Sequence, residues 1–367
     1  MSESLGNSTS DSEVAVDDRF TNSANWMPEY LCGSAWLEHG PFAMWIIEAA
    51  RPRTLVELGT HNGFSFMAFC QAIQRLGLET RAFAVDTWTG DEHAGFYGED
   101  AYRNLAYYRD QRYATFATLI PSTFDDALPR FADGSIDLLH VDGRHYYDDV
   151  RHDYTSWIPK LSDRAVVLFH DTMERDNDFG VYRLWEEVSA GRPHFHFEHG
   201  HGLGVLGVGR DQSPEMRALF ALTGDPPAAR ALRERCTQLG REIVRRVDAM
   251  ALSGSGRWTP ACERIVRDYL TAGIDEVAAY GAGEVGRAFV AEAQRAGLDI
   301  RFVIDRNPAL WGTTLGSVPV VSLEDAMERG MPRLFVASFA FASDIRRGVE
   351  EAYLGRTDAP EILIATP

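Results

Sequence analysis

The sequence has few cysteines, and their placement excludes two kinds of scaffold. Only four occur among 367 residues, Cys32, Cys70, Cys236 and Cys262, and no two of them form a C-x-x-C pair. A disulfide framework and a structural zinc site both need cysteines in closer, paired spacing. We therefore expect a protein of a reducing compartment, the cytoplasm.

The sequence also lacks a long apolar run and an excess of basic residues. No uninterrupted apolar stretch approaches the roughly 20 residues that cross a bilayer. Acidic residues number 54 against 36 basic ones, a formal net charge of −18. A field of that sign repels phosphate backbones and anionic lipid, so neither nucleic acid nor a membrane surface is an expected partner. The acidic, polar start of the chain is unlike a signal or transit peptide.

Length and hydrophobic pattern predict two α/β domains. Short apolar strands alternate with segments of helical period, which is typical of mostly parallel sheets covered by helices. A closing antiparallel hairpin is predicted at the end of the first domain, over 195–208. The predicted organisation is a disordered tail over 1–25, a first domain over 26–210, a helical connector with a flexible joint over 211–258, and a smaller domain over 259–367.

A glycine loop follows the first predicted strand, 54–58. Glu57, Gly59 and Gly63 give the spacing E-x-G-x-x-x-G, which differs from the G-x-G-x-x-G turn that brings a helix N-terminus against a pyrophosphate. This difference favours a ligand without phosphate. Asp86 ends the next strand, where a carboxylate can accept hydrogen bonds from both ribose hydroxyls, and Glu57 can accept one from an ammonium group.

This loop with its ribose acid resembles that of class I S-adenosylmethionine (SAM)-dependent methyltransferases. Three further segments, Val85–Gly98, Gly134–His145 and Leu161–Thr172, look like those of a bacterial group similar to the macrocin-type sugar O-methyltransferases. The resemblance covers about residues 30–210. It implies a Rossmann-like fold and methyl transfer to a hydroxyl of a glycosyl or natural-product acceptor.

The resemblance also implies a cofactor site at the carboxyl ends of the strands. The residues expected to bind SAM are Glu57, Gly59, Thr60, Asn62, Gly63, Ser65, Asp86, Thr87, Trp88, Ser122 and Asp142.

Carboxylates and histidines follow two later strands of the same predicted sheet. Asp142 comes after one strand, and His170 and Asp171 come after the next. Two carboxylates on neighbouring strand ends lie close enough to repel each other unless a cation compensates. Related metal-dependent O-methyltransferases place acidic ligands at these two ends, which suggests that Asp142, Asp171 and His170 hold Mg²⁺. His170 departs from the family pattern, since relatives often have a second acid at its position.

Methyl transfer to an alcohol needs a base or a cation, because the hydroxyl is a poor nucleophile. His145 and His170 are the candidate bases, and each could instead serve only to orient Asp142 or Asp171. Four more histidines alternate in the predicted hairpin, at positions 194, 196, 199 and 201. No cysteine or acid accompanies them at a zinc-site spacing, so we expect a solvated hairpin edge.

A second glycine loop lies in the smaller domain. Gly281, Gly283 and Gly286 form a true G-x-G-x-x-G between a strand and a helix, and Asp305 ends the next strand. The domain resembles the small Rossmann-like modules of nucleotide-sugar and polysaccharide enzymes, in which Gly312, Gly316 and Val318–Val320 would form a turn. Binding of a nucleotide or sugar nucleotide and a structural or oligomerisation role both stay open.

The leading hypothesis is therefore a SAM-dependent O-methyltransferase that uses a divalent cation. One alternative is a regulatory or scaffold protein whose smaller domain binds a dinucleotide or nucleotide sugar. Another is an oxidoreductase that uses the second glycine loop. Aromatic residues in the first 50 positions make a homodimer a further expectation.

Overall fold

The computed structural model describes residues 22–91, 95–96, 99–176, 178–252, 258–331, 333–338 and 342–363. The chain divides into two compact units, Met1–Arg245 and Arg246–Pro367.

The first unit alternates strands and helices along the chain. Its strands are β1 (Thr54–Leu58), β2 (Arg81–Asp86), β3 (Gly90–Asp91), β4 (Gly95–Phe96), β5 (Ala117–Pro121), β6 (Ile136–Val141), β7 (Leu161–His170), β8 (His194–Phe197) and β9 (Leu203–Gly207). Its helices are α1 (Gly40–Ala50), α2 (Phe64–Arg75), α3 (Glu99–Arg112), α4 (Phe124–Ala127), α5 (Tyr147–Trp157), α6 (Val181–Ser189), α7 (Pro214–Ala221) and α8 (Pro226–Leu252), the last of which continues past the unit boundary.

Seven of these strands form one sheet in the order β5-β2-β1-β6-β7-β9-β8. The neighbours from β5 to β7 pair in parallel, whereas β9 is antiparallel to both β7 and β8. Strands β3 and β4 form a separate antiparallel ribbon. A mostly parallel sheet with a closing antiparallel hairpin was expected, and the predicted fold class is confirmed.

Continuous apolar runs place the central strands inside. All side chains of β1 and β6 are buried, which is the pattern of parallel strands covered by helices on both faces. On one face, Val56, Val141 and Phe169 belong to a cluster with Trp157 and Trp185 from the covering helices. The strands are therefore fixed from both sides, and their carboxyl ends have defined positions.

The two ends of the first domain differ from the predicted organisation. Residues 22–25 form a 3₁₀ turn in which Ser23 and Ala24 are buried, and Asn25 accepts a hydrogen bond from Arg235 at 2.9 Å. The rest of the predicted tail, 1–21, lies outside the described residues. Residues 211–245, predicted as connector, belong to the first unit, and the predicted flexible joint at 253–256 is not described.

Helix α8 is the longest described helix, with 27 residues. It is rich in arginine and alanine. Gly240 lies so close to the backbone of Glu38 that a Cβ there would overlap it. Among the helices in the described ranges, none combines the length and the apolar character needed to cross a membrane.

The second unit contains strands β10 (Glu276–Tyr280), β11 (Asp299–Ile304), β12 (Thr314–Leu315), β13 (Val318–Val321), β14 (Arg333–Val336) and β15 (Glu361–Leu363). Its helices are α9 (Thr259–Thr271), α10 (Glu284–Ala296), α11 (Leu323–Arg329) and α12 (Ala342–Ala352).

These strands form a six-stranded sheet in the order β12-β13-β11-β10-β14-β15, parallel except for β12. The segment predicted as a turn over 318–320 is instead part of β13. It pairs in parallel with β11, while Gly312 and Gly316 shape the hairpin before it. The second unit is thus a small Rossmann-like sheet, as predicted.

Candidate active site

The candidate site lies where the parallel strands of the first sheet end. Gly59 follows β1, Asp86 ends β2, Asp142 follows β6, and His170 ends β7. The strand order reverses between β1 and β6, and open α/β sheets bind their ligands outside such a reversal. The topology therefore gathers these four positions along one edge.

The first glycine loop is shaped by contacts within the chain. Gly59 has φ +85°, and a Cβ there would overlap the carbonyl oxygen of Asp142. Gly63 has φ +83°, and a Cβ there would overlap the side chain of Leu105. Both backbones occupy the left-handed region that glycine tolerates. The glycines thus let β1 turn against the end of β6 and against α3.

Asp86 organises the loop through its carboxylate. Its Oδ2 accepts hydrogen bonds from the backbone N–H of Thr60 at 2.8 Å and of His61 at 2.9 Å. Its Oδ1 accepts one from the N–H of Trp88 at 2.7 Å. Three amides bonded to one carboxylate fix the loop relative to β2. Any ribose hydroxyl bound here would use the remaining acceptor capacity of these oxygens.

A cavity of about 240 Å³ opens beside this loop. Its lining includes the predicted residues Gly59, Thr60, Asp86, Thr87, Asp142 and His145. It also includes His61, Gly90, Thr123, Phe124, Gly143 and Arg144, which the sequence patterns did not single out. Thr123 and Phe124 follow the edge strand β5, and Gly143 and Arg144 lie between two predicted residues.

Glu57 lies outside this lining, inside the sheet. It is fully buried, and its Oε2 accepts a hydrogen bond from Nδ1–H of His140 at 2.8 Å. The indole N–H of Trp36 donates to Nε2 of His140 at 3.1 Å, so the proton of the neutral imidazole is on Nδ1. Oε1 of Glu57 is buried and has no hydrogen-bond partner among the described residues.

Five other predicted cofactor residues also lie outside the lining: Asn62, Gly63, Ser65, Trp88 and Ser122. The Asn62 amide donates to the carbonyl of Gly33 at 3.2 Å, and the Trp88 indole donates to the carbonyl of His61 at 3.1 Å. Ser65 is buried, and the Ser122 hydroxyl donates to the carbonyl of Thr123. In the described contacts these side chains hold the loop and its surroundings, and their role toward a cofactor stays a prediction.

Two carboxylates and two imidazoles meet beside the cavity. Nδ1 of His170 lies 3.2 Å from Oδ1 of Asp142 and 3.3 Å from Oδ2 of Asp171. Nε2 of His145 lies 2.9 Å from the same Asp171 oxygen, and Phe179 stacks on the His145 ring with centroids 4.6 Å apart. The structure therefore brings together all four residues that the sequence assigned to metal binding and base catalysis.

Charge pairing controls ionisation in this cluster. Burial opposes ionisation of both carboxyls, yet the neighbouring His170 and His145 hold the pKa of Asp142 and of Asp171 well below its usual range. Burial likewise opposes the charged imidazole, but the carboxylates of Asp142 and Asp171 raise the pKa of His145 to about 9. The cluster is thus built to balance two negative charges with positive ones.

The tip of the β8–β9 hairpin contacts this cluster through a backbone carbonyl. The carbonyl of Gly200 accepts hydrogen bonds from Nε2 of His170 at 3.2 Å and from Nε2 of His39 at 2.9 Å. His39 is buried, and this burial keeps its pKa well below the ordinary value. One carbonyl therefore fixes the orientation of two imidazoles.

Two of the four hairpin histidines, His196 and His199, do not lie on the solvated edge that was expected, whereas His201 is exposed. His196 and His199 are half-buried, and burial lowers the pKa of each to about 4. They also form no metal-ligand group, because Asp142, His170 and Asp171 are the single such group found in the described part of the chain.

The second glycine loop has the arrangement of a dinucleotide turn. Gly281 has φ +112°, Gly283 faces open space, and a Cβ at Gly286 would overlap the carbonyl of Gly281. Asp305 accepts hydrogen bonds from the backbone N–H of Ala282 and of Asn307. These contacts account for the loop's shape, and nucleotide binding here stays a prediction.

The fold and the site of the first unit define a class of protein. The sheet order, the glycine loop after β1 and the acid at the end of β2 together are those of a class I SAM-dependent methyltransferase domain.

A family model matches part of the first unit. Residues 56–172 match the family described as "Methyltransferase domain". The uncharacterised protein y4gI of Sinorhizobium fredii is 56% identical over 178 residues, which are 48% of this chain and 20% of that protein. The chain thus spans about a fifth of the length of this curated relative.

Two matches among solved structures hold a ligand. The SAH-bound Podospora anserina methyltransferase PaMTH1 shows 13% identity and a TM-score of 0.36, covering 56% of this chain and 98% of that one. The cofactor-bound Rv0187 from MTB shows 19% identity and a TM-score of 0.37, covering 55% of this chain and 90% of that one. The class of the first unit follows from the matched domain and the site, and these two structures of low identity add nothing to it.

Proposed function

We propose that this chain is a SAM-dependent O-methyltransferase that acts on a hydroxyl of a sugar or natural-product acceptor with the help of a divalent cation. The observation that carries the proposal is the meeting of Asp142, His145, His170 and Asp171 beside the cavity at the glycine loop, with Asp142 and His145 in the cavity lining. A bare cofactor-binding domain would not need two carboxylates and two imidazoles at that point.

The chain's own groups fit the methyl donor. Thr60 lines the cavity, and its Oγ1 is buried with no hydrogen-bond partner among the described residues. The cavity also has the apolar ring of Phe124 and the carboxylate of Asp86 in its wall. A nucleoside needs this combination of an apolar face and a few placed polar atoms.

The donor set likewise fits a divalent cation. One ligand atom each from Asp142, His170 and Asp171 can be chosen so that all lie within 4.8 Å of one another. Two carboxylates this close repel each other, and a cation between them offsets that repulsion. When bound there, a divalent cation supplies Lewis-acid polarisation of a hydroxyl oxygen.

The proposed chemistry is an in-line displacement. The acceptor oxygen forms a bond to the methyl carbon, the carbon–sulfur bond of SAM breaks, and the hydroxyl proton leaves. His145 is the better placed base, since it lines the cavity, whereas both nitrogens of His170 face other groups. His145 would take up the hydroxyl proton on its ring, and the carboxylates of Asp171 and Asp142 would stabilise the resulting imidazolium.

We expect Asp86→Ala to lower the affinity for S-adenosylhomocysteine about 100-fold. The change removes the acceptor of three backbone N–H groups, and each such charge-assisted hydrogen bond contributes about 1.5–3 kcal/mol. The measurement is a calorimetric titration of the full chain. Asp133→Ala, at an exposed aspartate paired with Lys160, is the matched control and should bind as the wild type does. Equal binding by Asp86→Ala would contradict the proposed cofactor site.

The same titration with NAD⁺ separates the main proposal from its alternative. Binding of S-adenosylhomocysteine at one site per chain supports methyl transfer in the first unit. Binding of NAD⁺ alone, abolished by Gly283→Trp, would instead support a dinucleotide-binding role of the second unit.

We expect His145→Gln to retain cofactor binding but to lose methyl transfer by about 10²–10⁴-fold, the usual contribution of a general base. In the wild-type protein the rate should rise with pH as His145 loses its proton, because only the neutral imidazole accepts a proton and the carboxylates of Asp142 and Asp171 raise its pKa to about 9 in the metal-free site. The assay is methyl transfer to a screened set of hydroxylated acceptors. A flat pH profile together with full activity of His145→Gln would rule out the assigned base.

A further inference from the structure

We propose that the cation site of this protein selects a first-row transition-metal dication over Mg²⁺, with Nδ1 of His170 as a ligand atom. The inference rests on the proposed function, because it names the cation of that same site. It departs from the magnesium expected from the sequence, and it follows from which atom of His170 faces the two carboxylates.

The hydrogen bond to Gly200 determines the tautomer of His170. A backbone carbonyl can only accept, so Nε2 of His170 must carry the proton in that 3.2 Å contact. In the neutral imidazole Nδ1 then carries the lone pair. Nδ1 is also the atom that lies 3.2 Å from Asp142 and 3.3 Å from Asp171. A bound metal would displace any proton on Nδ1, and the Nδ1 lone pair and one oxygen from each carboxylate would then face one point.

The surroundings keep His170 in that orientation. The side chain is 1% exposed, and the Trp36 ring lies 6.0 Å from it, centroid to centroid. His39 donates to the same Gly200 carbonyl, and Gly200 has φ +57° with a Cβ position 3.0 Å from Nε2 of His39. Partners of this kind behind a ligating histidine fix its ring and its tautomer.

The nitrogen content of the donor set decides the class of metal. Mg²⁺ prefers oxygen ligands and retains several waters, whereas imidazole suits the later first-row dications. Here one of the three converging atoms is an imidazole nitrogen. A second imidazole, His145, has its Nε2 within 2.9 Å of Asp171 and 3.8 Å of Asp142. An all-oxygen site would have an acid at position 170.

The test compares Co²⁺ with Mg²⁺ on the chelator-stripped full chain by calorimetry, with the visible absorption of bound Co²⁺ as a second readout. We expect Co²⁺ to bind at least tenfold more tightly than Mg²⁺. Most protein sites favour Co²⁺ to some degree, so the deciding variant is His170→Asp, which replaces the nitrogen by oxygen. It should lower the Co²⁺/Mg²⁺ affinity ratio at least tenfold and change the Co²⁺ spectrum.

His152→Gln is the matched control, since His152 pairs with Asp125 at 2.9 Å on an exposed surface, and it should leave both titrations unchanged. An unchanged ratio in His170→Asp, tighter binding of Mg²⁺ than of Co²⁺, or no binding of either ion overturns the inference. If S-adenosylhomocysteine still binds in those cases, the proposed methyl transfer stands. If the wild-type protein does not bind S-adenosylhomocysteine, the proposed function is overturned instead.

Discussion

Replacing Gly59 by alanine is expected to abolish binding of S-adenosylhomocysteine, with an affinity loss of at least about 100-fold. The new Cβ would overlap the carbonyl oxygen of Asp142, and the backbone at φ +85° is unfavourable for alanine. Since Asp142 is held by its own backbone bond to Leu58, the strain must displace the loop that carries Thr60 and lines the cavity. Calorimetric titration of the full chain measures the loss.

Gly77→Ala is the control for this variant. Gly77 also has positive φ, at +61°, but nothing lies within 4 Å of the position of its Cβ. It carries the backbone penalty of about 1–2 kcal/mol without the overlap, and it lies outside the cavity lining. If Gly59→Ala binds as well as Gly77→Ala, the close approach of the two strand ends is not what shapes the site.

Removal of His140 is expected to destabilise the first unit by about 1.5–3 kcal/mol, the contribution of a hydrogen bond to a charged group. His140→Leu leaves the carboxylate of Glu57 fully buried without its hydrogen-bond donor. It also leaves the indole N–H of Trp36 without its acceptor. The free energy of unfolding, measured by urea titration, gives the cost.

The double variant Glu57→Leu/His140→Leu serves as the comparison. It removes both members of the pair, and replacing a buried pair by apolar side chains is often close to neutral. We expect it to recover most of the stability lost in His140→Leu. If His140→Leu alone lowers the free energy of unfolding by less than about 1 kcal/mol, the pair contributes little to stability. The role of Glu57 predicted from the sequence, cofactor binding, would then be favoured again.

Most of the sheet in the first unit is predictable from local patterns. Strands β1, β2, β6 and β7 lie where the sequence predicts strands: before the first glycine loop, up to Asp86, before Asp142 and before His170. Strand β5 is not predicted, because it is a short edge strand with an exposed residue inside it and a proline at its end. In the second unit, β13 contains Pro319 and so has the pattern of a turn.

The candidate site is predictable only in part, because its partners come from distant parts of the chain. Asp142, His170 and Asp171 follow predicted strands, and parallel strands end at one edge, so their meeting follows from topology. The environment of Glu57 depends on the register of β1 against β6, which sets it opposite His140. The contact of His39 with Gly200 joins residues 161 positions apart, and no local pattern indicates it.

The left-handed backbone conformation of Asp171 makes this a position where substitutions that increase stability would remove activity. With φ +59°, this residue holds a conformation that costs a non-glycine residue on the order of 1 kcal/mol, and glycine or asparagine would relieve much of it. Neither side chain carries the negative charge that faces His145 and His170. Selection of variants for thermal tolerance alone would therefore favour changes at position 171 that disable the site, so engineering for robustness should hold this position fixed.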